Sequence, residues 1–128
     1  MSTVVVATVK SNTSSPPAFQ NTSGTEIGTL CRAWVNFNGT GTVAIQADFN
    51  VSSITDNGNG DYTVNFTTAM ADANYACVLG CNQALTQMGD NIYSVGNFAT
   101  SSVRIYSNNQ VGGLSPEDSA IMTAAIFR

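Results

Sequence analysis

Cys31, Cys77 and Cys81 are the side chains of this 128-residue sequence best suited to nucleophilic or soft-metal chemistry. No histidine accompanies them. That absence removes the usual general base, the Ser-His-Asp and Cys-His arrangements and most zinc sites. A cysteine nucleophile needs some other activator to hold it as thiolate, and none is visible. Cys77 and Cys81 are spaced too widely for a tight Cys-x-x-Cys knuckle. An odd cysteine count is not a secreted disulfide framework. The three read as buried free thiols packing as small hydrophobes, with a disulfide or inter-subunit bond left open.

The carboxylates are the second candidate set. Asp56-Asn57-Gly58-Asn59-Gly60-Asp61 brings calcium to mind, but the EF-hand needs Gly at its sixth position and Asp61 stands there. A hairpin turn with solvated Asp residues is the simpler reading. Nothing marks two of Asp48, Asp56, Asp61, Asp72, Asp90, Glu117 and Asp118 as a glycosidase pair across a cleft. The sequence therefore predicts no enzyme, no catalytic residue, no cofactor and no metal. Trp34, Tyr75, Tyr93 and Tyr106 could stack on sugars, since aromatic faces suit C–H-rich surfaces; packing is the alternative. Sequons starting at Asn12, Asn21, Asn38, Asn50 and Asn65 read as composition.

The elements that would position these residues are strands. The length fits one domain, and 43% hydrophobic residues can build a core. Only 9% are charged, against about 25% in ordinary soluble domains. Net charge −4 with four basic residues argues against nucleic acid. No run is long enough for a transmembrane helix, so no membrane insertion is expected. Met1-Ser2-Thr3 is no basic n-region and Val4–Ala7 is too short for an h-region, which predicts synthesis in a cytoplasm without Sec-type export.

Thr3–Val9 is β-branched and reads as a short strand. Residues 10–28, with Pro16-Pro17 and many Ser, Thr, Asn and Gly, read as an extended arm. Residues 1–28 thus form an anchor, through Val4, Val5, Val6, Pro16, Pro17 and Phe19. Residues 29–128 form the body. Leu30–Phe37 alternates, with Ala33, Val35 and Phe37 on one face. After a turn at Asn38–Gly41, Val43, Ile45, Ala47, Phe49 and Val51 alternate inward as one strand. Ser53–Thr55 and Tyr62–Phe66 form a second hairpin about Asn-Gly turns. Strands follow at Tyr75–Leu79, Ile92–Phe98, Ser102–Tyr106 and Ala120–Phe127. Loops lie at 82–91 and 108–119. Seven or eight short strands and no helical period predict an all-β, antiparallel, jelly-roll-like β-sandwich.

Four stretches carry a resemblance: Gly24–Ile45 (GTEIGTLCRAWVNFNGTGTVAI), Phe49–Gly58 (FNVSSITDNG), Gly60–Met70 (GDYTVNFTTAM) and Asp72–Tyr75 (DANY). With the closing Ile126-Phe127-Arg128, they resemble a tail-fibre-like module of virion structural proteins in tailed bacteriophages of marine and aquatic bacteria. The likeness covers roughly residues 18–78; Ala71 stands where that family often has Pro. It implies a trimeric virion protein with host-facing loops, assembled in the bacterial host cytoplasm. Two functions follow. One is a tail-fibre or receptor-binding knob. The other is a capsid decoration protein, which a short free-standing chain would suit. Expected partners are two further copies, other virion proteins through the arm, and a host surface glycan or protein. Specificity is expected in the loops, at Gln83, Gln87, Asp90, Asn91, Tyr93, Asn108, Asn109, Gln110 and Glu117.

Overall fold

The structure is a computed structural model that describes residues 3–13, 16–82, 91–110 and 113–128, with backbone alone at Asn82 and Asn91. The described residues contain strands and no helix. The chain divides into two compact units, Met1–Leu30 and Cys31–Arg128.

In the first unit, residues 3–13 form no strand and are exposed. The β-branched run Val4–Val9 was expected to be one. Strand structure is a pairing, and no ladder to this run exists among the described residues. Within the stretch expected to be extended, a small hairpin forms instead: β1 (Phe19–Gln20) pairs with β2 (Glu26–Gly28). Asn21 builds the turn, because its Oδ1 accepts from the Ser23 and Thr25 amides at 3.0 and 2.9 Å.

The second unit holds two antiparallel sheets. One has the order β4 (Ala44–Phe49), β3 (Cys31–Asn38), β11 (Ile121–Phe127), β7 (Ala76–Asn82). The other runs β5 (Val51–Gly58), β6 (Asp61–Phe66), β9 (Ser102–Asn109), with β8 (Asn91–Gly96) and the short β10 (Ser115–Pro116) also on β9. Alternation sends Ala33, Val35 and Phe37 from β3 and Met122, Ala124 and Ile126 from β11 into one core. Tyr62, Val64, Val103 and Ile105 enter it from the facing sheet. Phe37 meets Tyr62 edge to face at 5.2 Å between ring centroids. Full burial is worth about 1.5–3 kcal/mol per large apolar side chain, so this shared cluster holds the sheets together.

Two local features depart from the strands expected at 43–51. Asn50 adopts φ 56° and breaks the run. The residues before it belong to one sheet and those after it to the other. Its side chain fastens the corner: Nδ2 donates to the Arg32 and Thr68 carbonyls, both at 3.0 Å, and Oδ1 accepts from the Thr68 amide at 2.7 Å. Asn tolerates this left-handed conformation better than most residues. Second, the β3–β4 ladder shifts at Asn36/Phe37. Ile45 stays opposite Phe37, but Ala47 and Phe49 end up opposite Asn36 and Trp34. Ala47 and Phe49 are therefore exposed, not core.

The register assigns the described connections to two poles. Residues 39–43, 59–60, 110 and 113–120 lie at one end, called upper here, where β7 ends and β8 begins. Asn50, 67–75 and 97–101 join strands at the lower end, where β3 begins and β11 ends.

Candidate functional site

The upper pole is closed by a hydrogen-bonded knot. The Tyr62 hydroxyl lies 2.6 Å from Asp118 Oδ1 and 3.0 Å from the Gly39 carbonyl. Asp118 Oδ1 also accepts from the Gly60 amide at 2.7 Å. Burial, then the bond to Asp118, pushes the Tyr62 phenol well above its ordinary value. Ser107 and Ser119 are buried and bond to each other at 3.0 Å. Backbone seals the rest: the Ser107 amide donates to the Gly60 carbonyl, Glu117 to Ser107, and Gly39 to Ser119. At Gly60, a Cβ would stand 2.2 Å from the Ser107 carbonyl oxygen.

Most of the expected recognition residues gather at this pole, though not as loops. Asn91 and Tyr93 lie in β8 and Asn108 and Asn109 in β9; Asn91 opposes Asn109, and Tyr93 opposes Ser107. Backbone pairing extended β9 past the predicted strand end at Tyr106. Tyr93 packs against the core, with its hydroxyl on Cys81 Sγ, rather than facing outward. Gln110 is exposed just beyond β9. Glu117 is half-buried, and its Oε2 is buried without a hydrogen-bond partner. Gln83, Gln87 and Asp90 lie outside the described residues. Of the arm residues, Val4, Val5, Val6, Pro16 and Phe19 are exposed and Pro17 is half-buried.

The remaining chemistry is quiet. The three cysteines are free, and burial raises the Cys77 thiol to about 11. Asp61 is no solvated turn residue. It pairs with Arg104 across the β6–β9 ladder, and that hydrogen bond lowers its carboxyl below the usual value against the opposing effect of burial. Arg128 pairs with Asp72 at the lower pole. Among the described residues, no group of three or more His, Cys, Asp or Glu could hold a metal ion.

The outer face of the β4–β3–β11–β7 sheet is a different surface. The register lines up Phe49, Trp34, Ala125 and Val78 across its four strands. Trp34 is 40% exposed, Phe49 54% and Val78 59%. The next row is Ala47, Asn36, Thr123 and Gly80. A groove of about 350 Å³ runs along Trp34, Asn36, Val78, Gly80, Thr123 and Ala125. Asn36 Oδ1 is buried there without a partner, a state that costs about 1–3 kcal/mol until a donor arrives. A second groove, of about 310 Å³, adjoins it past Phe49, lined by Arg32, Asn50, Thr67 and Thr68. Sequence reasoning singled out Trp34 and missed the rest. Arg32 beside Trp34 on the polar face of β3 was the available signal; the ladder shift that adds Phe49 had none.

No family model matches the sequence, and no curated protein or solved structure matches it either.

Proposed function

We propose that this chain is a non-enzymatic bacteriophage virion structural protein, an exterior knob of the tail-fibre or receptor-binding type that contacts the host surface. The observation that carries the reading is the polarity of the second unit. β3 starts at the lower pole, so the chain enters the unit there, while the carboxamides of Asn108 and Gln110 lie at the upper one. Entry of the chain at one end leaves the far end and the sheet faces of this unit to meet a surface, as an exterior knob requires. The sequence resemblance to phage tail-fibre-like modules points the same way. In this reading the fold is a jelly-roll-like β-sandwich, residues 1–28 are the anchoring arm, and the working assembly is a homotrimer. The exposed valines Val4, Val5, Val6 and Val9 favour a second reading. In it the same arm clamps neighbouring capsid subunits, and the protein decorates the phage head.

Immuno-electron microscopy of purified particles separates the two. Label at tail tips supports the knob, and label retained on tail-less heads supports decoration. Label on neither removes both. A monomer at micromolar concentration in sedimentation velocity would overturn the trimer.

A further inference from the structure

We infer that the two adjoining grooves on the outer face of the β4–β3–β11–β7 sheet form one binding site for a linear acidic glycan, a chain of uronate-bearing sugars. This deepens the host-contact reading by naming the ligand class, and it places that ligand on the sheet face rather than on the upper pole.

Charge selects the ligand. Of the four basic residues, Arg104 and Arg128 are tied to Asp61 and Asp72. Lys10 lies in the first unit. Arg32 is the one cation of the second unit with no ion pair among the described residues, and it lines the groove with the Thr67 and Thr68 side chains. A planar guanidinium offers a carboxylate two parallel N–H donors. The overall charge of −4 opposes an anion, but exposed charges more than about 8 Å apart are screened at physiological salt. Asp48, the nearest acid in sequence to Phe49, points to the opposite side of β4 by strand alternation.

Shape and polarity extend the match. Phe49 and Trp34 are directly opposite in the ladder, so their Cβ atoms are about 5 Å apart. Together they make an aromatic platform beside Arg32, and the C–H face of a sugar ring packs on such a surface. Further along, Ala125 and Gly80 keep the floor low, and Thr123 and Asn36 supply polar atoms. Each groove falls in the size range of small-ligand sites. A second copy of this chain is the competing occupant. The exposed parts of the two rings and Val78 sum to roughly 300 Å², so a second copy would have to bury much of the surrounding polar surface as well to reach the about 800 Å² per partner of a stable interface.

Trp34 is the only tryptophan, so its fluorescence reports on the site. The full-length protein is titrated with a panel of linear uronate oligomers (galacturonate, mannuronate and glucuronate-containing) and with their methyl esters. The expected result is a saturable change in Trp34 emission with at least one acidic oligomer, weakened at least tenfold by methyl esterification, by Arg32→Ala and by raised salt. Phe49→Ala should weaken binding with an unchanged urea midpoint. Calorimetry with Trp34→Ala should find binding lost. Equal binding of acid and ester overturns the acidic class. No binding of any panel member at millimolar concentration overturns the site. An emission change that tracks protein concentration alone assigns the face to a second copy. None of these outcomes depends on where the protein sits in a particle, so the site can fail while the virion reading stands, and the reverse.

Discussion

At Gly60 the Ser107 carbonyl stands where a Cβ would be, whereas Trp34 and Phe49 project into solvent above a floor of Ala125 and Gly80. Both regions belong to the second unit and are built mostly from uncharged residues and backbone, with Asp118 in one and Arg32 in the other. The upper pole uses them to satisfy one another, through Tyr62, Asp118, Ser107 and Ser119. The outer face leaves Arg32 without an ion pair among the described residues. Buried polar networks rigidify a fold as their members are satisfied; at this pole Glu117 Oε2 is the exception among the described residues. Unmet groups beside exposed rings are instead what a ligand can complete. Among the described residues, those around Gly60 and Tyr62 are thus tightly tied together, whereas the sheet face carries exposed rings.

The strongest way to break this contrast is at Gly60. Its φ is +66°, and an added Cβ meets the Ser107 carbonyl at 2.2 Å and the Glu117 amide nitrogen at 2.7 Å. Both are backbone, so neither can swing away. Gly60→Ala should cost about 3–5 kcal/mol in urea unfolding, a value reserved for specific steric faults. Gly41 is the control. Its φ is +63°, with nothing within 4 Å of a Cβ. Gly41→Ala should cost only the conformational strain, about 1–2 kcal/mol. Equal losses at the two sites would show that the upper pole is not tight.

Tyr62→Phe tests the hydroxyl in the knot. It leaves Asp118 Oδ1 with the Gly60 amide alone and strips a donor from the pole, an expected loss of about 1–3 kcal/mol. The pH dependence carries a sign. A phenol whose folded value is raised holds its proton after the unfolded chain has lost it. Its contribution is therefore complete below the unfolded value of 10.0 and declines as pH rises above it. The wild type should lose stability faster than Tyr62→Phe between pH 10 and 11 in thermal melts. Tyr75, raised by its own burial, keeps part of the slope in the variant.

How much of this was legible depended on whether a residue answers to its own strand or to its neighbour. Alternation alone placed Ala33, Val35, Phe37, Tyr62, Val64 and Phe66 inside. The all-β class and most strands followed from the same period. Phe49 and Ala47 answered to a ladder shift in the partner strand, which no period reveals, so they read as core and are exposed. Asn50 read as one more polar strand residue, because its corner exists only through the Arg32 and Thr68 carbonyls. Asn108 and Asn109 read as loop from composition, yet β8 and β10 claim their backbone. The Asp118–Tyr62 bond joins residues far apart in sequence, so the knot was invisible there.

A smaller effect comes from the ion pair that flanks the knot. Arg104 lowers the folded value of Asp61 by hydrogen bonding, against an ordinary 3.8. The pair's contribution is thus present above that value and lost as pH falls through the lower folded one. Arg104→Gln should remove a small contribution at pH 7, small because Arg104 is partly exposed and water screens the pair, and should converge with the wild type below about pH 4, which flattens the acid limb. Acid denaturation followed by circular dichroism measures it. An unchanged acid limb would show that Asp61 gains nothing from its partner.

The smallest stability effects belong to the outer face. Val78→Ser and Phe49→Ser each remove an apolar side chain that is already more than half in water. Little burial is lost, and neither residue belongs to the fully buried core. Each variant should unfold within about 0.5 kcal/mol of the wild type, the range of ordinary surface changes, and gain solubility as the exposed apolar row shrinks. Paired urea titrations at two protein concentrations make the comparison decisive. If either variant loses more than about 2 kcal/mol, and the loss shrinks as both proteins are diluted, the rings are already covered by another copy. The face would then be an interface rather than an open site. A small, concentration-independent change leaves Trp34 and Phe49 as residues that the fold itself does not need.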